Sequence, residues 1–238
     1  MFPRDEVTDS GESHWFEPII ELLSFPNKAF DADEIGVGWL GALLDTVIRP
    51  LAAKVPVVMI GHSFGARAGI TAACHGSILQ RSNQSPASEK NPVSLYIGLQ
   101  PAFGVQRIFS QDRMGVGFPD QCHAGASRIV MTSSKWDEAV TKVSFDTYVG
   151  SGETWEEVCS SGKIPYGVQC QSAAHDGFVE LKDDGIGHIF YVNADQLIHT
   201  NAYQTGGGAH SDIYRKETGN FLWNVIRATP APGLSIRK

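Results

Sequence analysis

Val55-Pro-Val-Val-Met-Ile-Gly-His-Ser-Phe-Gly65 is the stretch from which the rest of the chain is read. An apolar, β-branched run ends in Gly61-His62-Ser63-Phe64-Gly65, and a helix-compatible segment, 66–79, follows at once. A continuous apolar run of this kind suits a buried parallel strand. G-x-S-x-G between a strand and a helix is the pattern of a nucleophile elbow. The turn is tight enough to hold its serine in strained backbone, and glycines two residues to either side are expected to avoid collision. Ser63 is thereby lifted out at the carboxyl end of a strand, where the N-terminus of the next helix favours negative charge. The bare pattern also fits an ordinary strand-to-helix turn. The setting favours the chemical reading, because Ala66, Ala68, Gly69, Ala72 and Ala73 let that helix approach a sheet closely.

Outward from this point the chain alternates. On the N-terminal side, helices are predicted at about 17–23 and 33–51. The second has apolar residues at Ile35, Leu40, Leu43, Leu44, Val47, Ile48 and Leu51, with Asp31 or Asp33 as a cap. Residues 1–18 read as irregular. On the C-terminal side, 80–92 is a polar loop, and strands are expected at 93–99, 127–132 and 189–192, with a closing helix at 211–227. Residues 144–185, rich in Gly and Ser, read as an irregular, cap-like excursion. Their aromatic neighbours Phe145, Tyr148, Trp155, Tyr166 and Phe178 suit packing better than a substrate pocket. The alternation implies an α/β protein, one domain over 1–238, with a mostly parallel sheet and helices on both faces.

Composition narrows the class. The 238 residues are 42% hydrophobic and 19% charged, which fits one substantial core. A net charge of −7 argues against nucleic acid or anionic membrane as the main partner. No stretch reads as a transmembrane segment or secretory signal. Cys74, Cys122, Cys159 and Cys170 are widely spaced and read as reduced thiols, with one or two bridges as the alternative, pointing to the cytoplasm and to no metal site.

A serine hydroxyl needs a base, and the base an orienting acid. With an elbow the chain order is serine, acid, histidine. His210 precedes the last helix in a glycine-rich loop and is the expected base; His175 is its rival. Asp137 follows the strand that ends at Thr132 and is the expected acid, although a helix cap or solvated carboxylate would look the same. Asp112, Asp120, Glu138, Asp176 and Asp195 are weaker alternatives. Asp212 reads as a cap or amide acceptor for the last helix. The amide of Phe64 is the expected oxyanion donor.

Ile-Gly-His-Ser-Phe-Gly-Ala-Arg at 60–67, Met-Thr-Ser-Ser-Lys-Trp-Asp at 131–137 and Gly-Ala-His-Ser-Asp-Ile-Tyr at 208–214 resemble the α/β-hydrolase superfamily. The likeness covers roughly 33–227. It implies Ser63 as nucleophile, Asp137 as acid and His210 as base, acting on a small-molecule ester without cofactor or metal. An acyltransferase would use the same triad. One departure stands out: nothing in 1–54 reads as the strand and loop that supply half the oxyanion hole in such enzymes. The resemblance is therefore to a hydrolase fold lacking some N-terminal strands, with an exposed sheet edge. A weakly active or inactive hydrolase-like protein with a binding role is the alternative.

Overall fold

The computed structural model describes residues 17–52, 54–75, 91–109, 128–141, 148–162, 164, 167–181, 188–201 and 208–229. A helical run over 17–52, here α1, leads into β1 (Val58–His62) and α2 (Phe64–His75). Then come β2 (Leu95–Leu99), α3 (Gln106–Phe109), β3 (Arg128–Ser133), α4 (Glu138–Thr141), α5 (Gly152–Ser160), β4 (Val168–Ser172) and β5 (Ile189–Asn193). A 3₁₀ segment, Ala209–Tyr214, and α6 (Lys216–Ala228) complete the described chain. The expectations for 1–16, for 80–90 and for Asp112, Asp120, Cys122, Phe145 and Tyr166 lie outside the described residues.

The protein is of the α/β class. Among the described residues its sheet has five strands in the order β1-β2-β3-β5-β4, each pairing parallel. Strand periodicity splits the core into two layers. On one face Tyr96, Ile129, Met131, Ile189 and Tyr191 pack with Ile70 of α2, Leu44 of α1 and Trp155 of α5. On the other, Leu95, Ile97, Val130, Phe190 and Val192 pack with Phe221 and Val225 of α6. Helices thus cover both faces. The middle strands are almost wholly buried, whereas β1 and β4 are only partly so, as edge strands should be.

Several expectations are corrected. The two N-terminal helices are one continuous run that includes Pro26. Within it, Ile35–Leu40 and Leu44–Ile48 wind as π-helix. Asp33 is inside this run, not at its cap. Its carboxylate accepts from Arg67 (3.0 and 2.6 Å), Arg107 (2.7 and 2.6 Å) and Thr71 (3.1 Å), pinning α1 to α2 and α3. A Cβ at Gly36 would fall 2.7 Å from the Ala68 carbonyl, so glycine permits this close helix contact. By length and composition, Pro26–Ala52 is also long and apolar enough to cross a membrane, unlike the expectation of no such segment.

The stretch expected as a cap-like excursion instead supplies α5 and β4 to the layers of the sheet. Tyr148 is buried and Trp155 packs on the core, its Nε1–H donating to the Tyr191 carbonyl at 3.2 Å. Phe178 is exposed. The described cysteines are not reduced thiols: Cys159 and Cys170 are joined, their Cα atoms 5.8 Å apart where the end of α5 meets β4, and Cys74 is likewise disulfide-bonded. The cytoplasmic reading, which leaned on free thiols, loses that support.

Candidate functional site

Strand β1 ends at His62 and α2 begins at Phe64, leaving Ser63 alone in the turn with φ of 54°. A non-glycine residue in this left-handed region is strained, and such strain concentrates at functional sites. Backbone contacts over-determine it. The Ser63 amide donates to the Leu99 carbonyl at 3.0 Å, and the Ser63 carbonyl accepts from Arg67 and Ala102, each at 3.2 Å. The turn needs only one of its two glycines for space. A Cβ at Gly61 would lie 2.6 Å from the Gly65 carbonyl oxygen and from Ala66 Cα, while a Cβ at Gly65 would meet nothing within 4 Å. The expectation of collision therefore holds at Gly61 and fails at Gly65, which is exposed.

Gln100 lies between Leu99 and Ala102, two of the three residues that hold Ser63. It has φ of 39°, is fully buried, and its carboxamide oxygen and nitrogen have no hydrogen-bond partner. Its backbone amide is held by Thr132 Oγ1 at 3.1 Å. An orphaned buried polar group costs about 1–3 kcal/mol. A second strained, costly residue thus sits beside the serine, and sequence reasoning passed it over because Leu99-Gln-Pro reads as an ordinary strand end.

The loop after β3 carries Asp137, which is fully buried. Its amide donates to the Ser134 carbonyl at 3.2 Å, and Ser134 Oγ in turn donates to the Ile198 carbonyl at 2.7 Å. One carboxylate oxygen accepts from the Ala139 amide at 3.1 Å. The other accepts from His210 Nδ1–H at 2.7 Å. With the proton on Nδ1, the neutral ring keeps Nε2 as its basic nitrogen. Backbone contacts clasp the two loops together: the Ala209 amide donates to the Trp136 carbonyl at 2.8 Å, and Asp137 bridges Gly208. Gly208 has φ of 63°, and a Cβ there would come within 2.6 Å of that carbonyl, so glycine is required.

His62 joins this pair to the elbow. Its Nε2–H donates to the His210 carbonyl at 3.0 Å, and the two ring centroids are 4.4 Å apart. Burial and the neighbouring His210 imidazole lower the pKa of His62 to about 4 despite that hydrogen bond, so the ring is neutral at ordinary pH. The variable position of a G-x-S-x-G pattern gives no signal for such a contact, and His62 is not among the residues that the sequence singles out.

The other candidates lie elsewhere. His175 is exposed, its Nδ1 3.4 Å from the Gln196 carbonyl oxygen and its ring centroid 6.3 Å from that of His199. Asp176 receives the Phe178 amide, and Asp195 receives the Lys135 amide and pairs with its ammonium. Glu138 is the first residue of α4. Asp212, expected to serve α6, is fully buried and lies 3.8 Å from the guanidinium of Arg215, the residue before that helix. One of its oxygens accepts the amides of His199, Thr200 and Asn201 and the Thr200 hydroxyl, fixing the loop after β5. Among the described residues no group of His, Cys, Asp and Glu is arranged to hold a metal ion. Comparisons with family models, with curated proteins and with solved structures find no match to this chain.

Proposed function

We propose that the protein is a serine hydrolase of α/β-hydrolase type that cleaves a carboxylic ester through an acyl-enzyme. The observation that carries this reading is the 2.7 Å hydrogen bond from His210 to the wholly buried Asp137, tied through His62 to a strained serine. In this mechanism His210 Nε2 takes the proton of the Ser63 hydroxyl as its oxygen attacks the ester carbonyl. Asp137 holds the ring in the Nδ1–H tautomer and stabilises the imidazolium. The oxyanion of the tetrahedral intermediate is met by the amide of Phe64, the first residue of α2, where the helix N-terminus also favours negative charge. The imidazolium returns its proton to the departing alkoxide, which leaves as the alcohol. Water, deprotonated by the same nitrogen, then releases the acid and frees Ser63. An acyltransferase differs only in that an alcohol replaces this water.

A second reading, a hydrolase-like protein that binds with little turnover, is favoured by the edge position of β1. No described strand runs beside it from which a second oxyanion donor would come. The disulfides favour an oxidising compartment. A fluorophosphonate probe separates the readings. The hydrolase is labelled, hydrolyses p-nitrophenyl esters, and loses both properties in Ser63→Ala. An unlabelled wild-type chain supports the binding reading. Labelling that persists in Ser63→Ala defeats the assignment of the nucleophile.

A further inference from the structure

We infer that the outer edge of β1 and the exposed face of α1 together form an interface with a second copy of this chain. The inference does not rest on the proposed activity. In β1, the Val57 carbonyl accepts from Leu95 and the Ser63 amide donates to Leu99, both toward β2. Backbone groups alternate sides along a strand. Val58, Ile60 and His62 therefore turn theirs to the opposite edge, where no described strand lies. Natural edges are blunted by charge, proline or a bulge. Val58–His62 contains neither charge nor proline, and Ile60 is 46% exposed.

Helix α1 adds an apolar stripe. Phe30, Ile35, Trp39, Leu43, Val47 and Leu51 are 72, 46, 78, 45, 50 and 51% exposed. The last five are spaced by four residues. An α-helix turns in 3.6 residues and a π-helix in about 4.4, so alternating the two keeps this spacing nearly in line. The stripe ends at Leu51, whose carbonyl accepts from the amide of Val55, itself 54% exposed, just before β1. These seven side chains, about half to three-quarters exposed, together present several hundred Å² of largely apolar surface. That is at least the size of the largest patch on a typical monomer, roughly 300–600 Å², and of the same order as the roughly 800 Å² that each partner buries in a stable complex.

The occupant must satisfy both features. Lipid would cover the stripe but leaves strand N–H and C=O groups unpaired. A second copy supplies both. A two-fold axis normal to the sheet sets β1 antiparallel to its copy and brings both α1 helices to the same side, where their stripes meet as an isologous pair.

Sedimentation velocity on the 238-residue chain tests this, with the monomer mass of 25.8 kDa as reference. The expected species is twice that mass at micromolar concentration. Its association strengthens with added salt, because the patch is apolar and the net charge of −7 on each copy is screened. Trp39→Glu and, separately, Ile60→Lys should each weaken association at least tenfold. Trp39→Glu should keep the wild-type circular dichroism and melting temperature, so it remains informative if Ile60→Lys fails to fold. A monomer at all concentrations overturns the inference, as does a dimer indifferent to Trp39→Glu. Co-sedimentation of monomer with phosphatidylcholine vesicles that is lost in Trp39→Glu assigns the stripe to lipid and overturns it too.

Discussion

The imidazoles of His62 and His210 lie 4.4 Å apart between centroids, inclined by 41°, and the first donates to the backbone carbonyl of the second at 3.0 Å. The residue before the elbow serine therefore grips the loop that carries the other ring. His62→Ala should release that grip and lower kcat for p-nitrophenyl ester by about tenfold, some 1.4 kcal/mol, with KM little changed. His62→Gln, which retains an N–H donor, should recover part of the loss. A merely structural role would lower stability in both variants and leave kcat of the folded enzyme alone.

His210→Ala should cost as much activity as Ser63→Ala, and combining the two should cost little more, because members of such a unit are not additive. In Asp137→Asn the amide NH₂ faces Nδ1 and drives the ring proton to Nε2, the nitrogen that acts as base in the proposed mechanism. A loss in kcat on the order of 10³–10⁴ is expected. His175→Ala should be indistinguishable from wild type. Inactivation by His175→Ala with a tolerant His210→Ala would move the base elsewhere.

Acid should weaken the fold in two stages. Burial and the His210 ring hold the pKa of His62 at about 4, below its usual 6.5, so its neutral form belongs to the folded state. Its contribution is complete above pH 6.5 and is lost as pH falls toward 4, with a slope of up to about 1.4 kcal/mol per pH unit. Burial acts to raise the pKa of Asp33, but the hydrogen bonds and charges of Arg107 and Arg67 outweigh it and bring it from 3.8 to about 2. That contribution is present above pH 3.8 and disappears toward pH 2. Urea midpoints measured at stepped pH should show both stages, and His62→Asn should flatten the upper one alone. An unchanged upper slope in that variant would refute the assignment.

The Cys159–Cys170 bridge closes a loop with a sequence separation of 11. Replacing both cysteines by serine should lower the unfolding free energy by about 2–3 kcal/mol through the entropy returned to the unfolded chain. Chemical denaturation gives the answer directly, and an unchanged midpoint would show that the bridge is idle.

Where an apolar run is bounded by breakers, the sequence is readable. The strands at Leu95–Leu99, Arg128–Ser133 and Ile189–Asn193 fall within two residues of expectation, because each is buried on both faces. Strand β4 escaped notice because Val168-Gln-Cys-Gln-Ser sits at an edge and has little need to be apolar. In α1 the sequence announces a helix but not its orientation. Leu40, Leu44 and Ile48 pack inward, whereas Ile35, Leu43, Val47 and Leu51 face outward, and one list of apolar residues contains both. The hydrogen-bonded pair Asp137–His210 joins two residues that chain order singles out. The contacts of His62 and Gln100 were not legible, since they reach across 148 and 32 residues.

The strand order also sets a timetable for synthesis. Strand β4 joins the sheet only through β5, which is made later. As the chain leaves the ribosome, Val168–Ser172 must wait without a partner, while β1, β2 and β3 already have theirs. Gln169, Gln171 and Ser172 make that wait harmless, because a polar segment offers little to a neighbouring nascent chain. The polar composition that makes β4 hard to read in the sequence is also one that offers a neighbouring chain little apolar surface before β5 takes its place between β4 and β3.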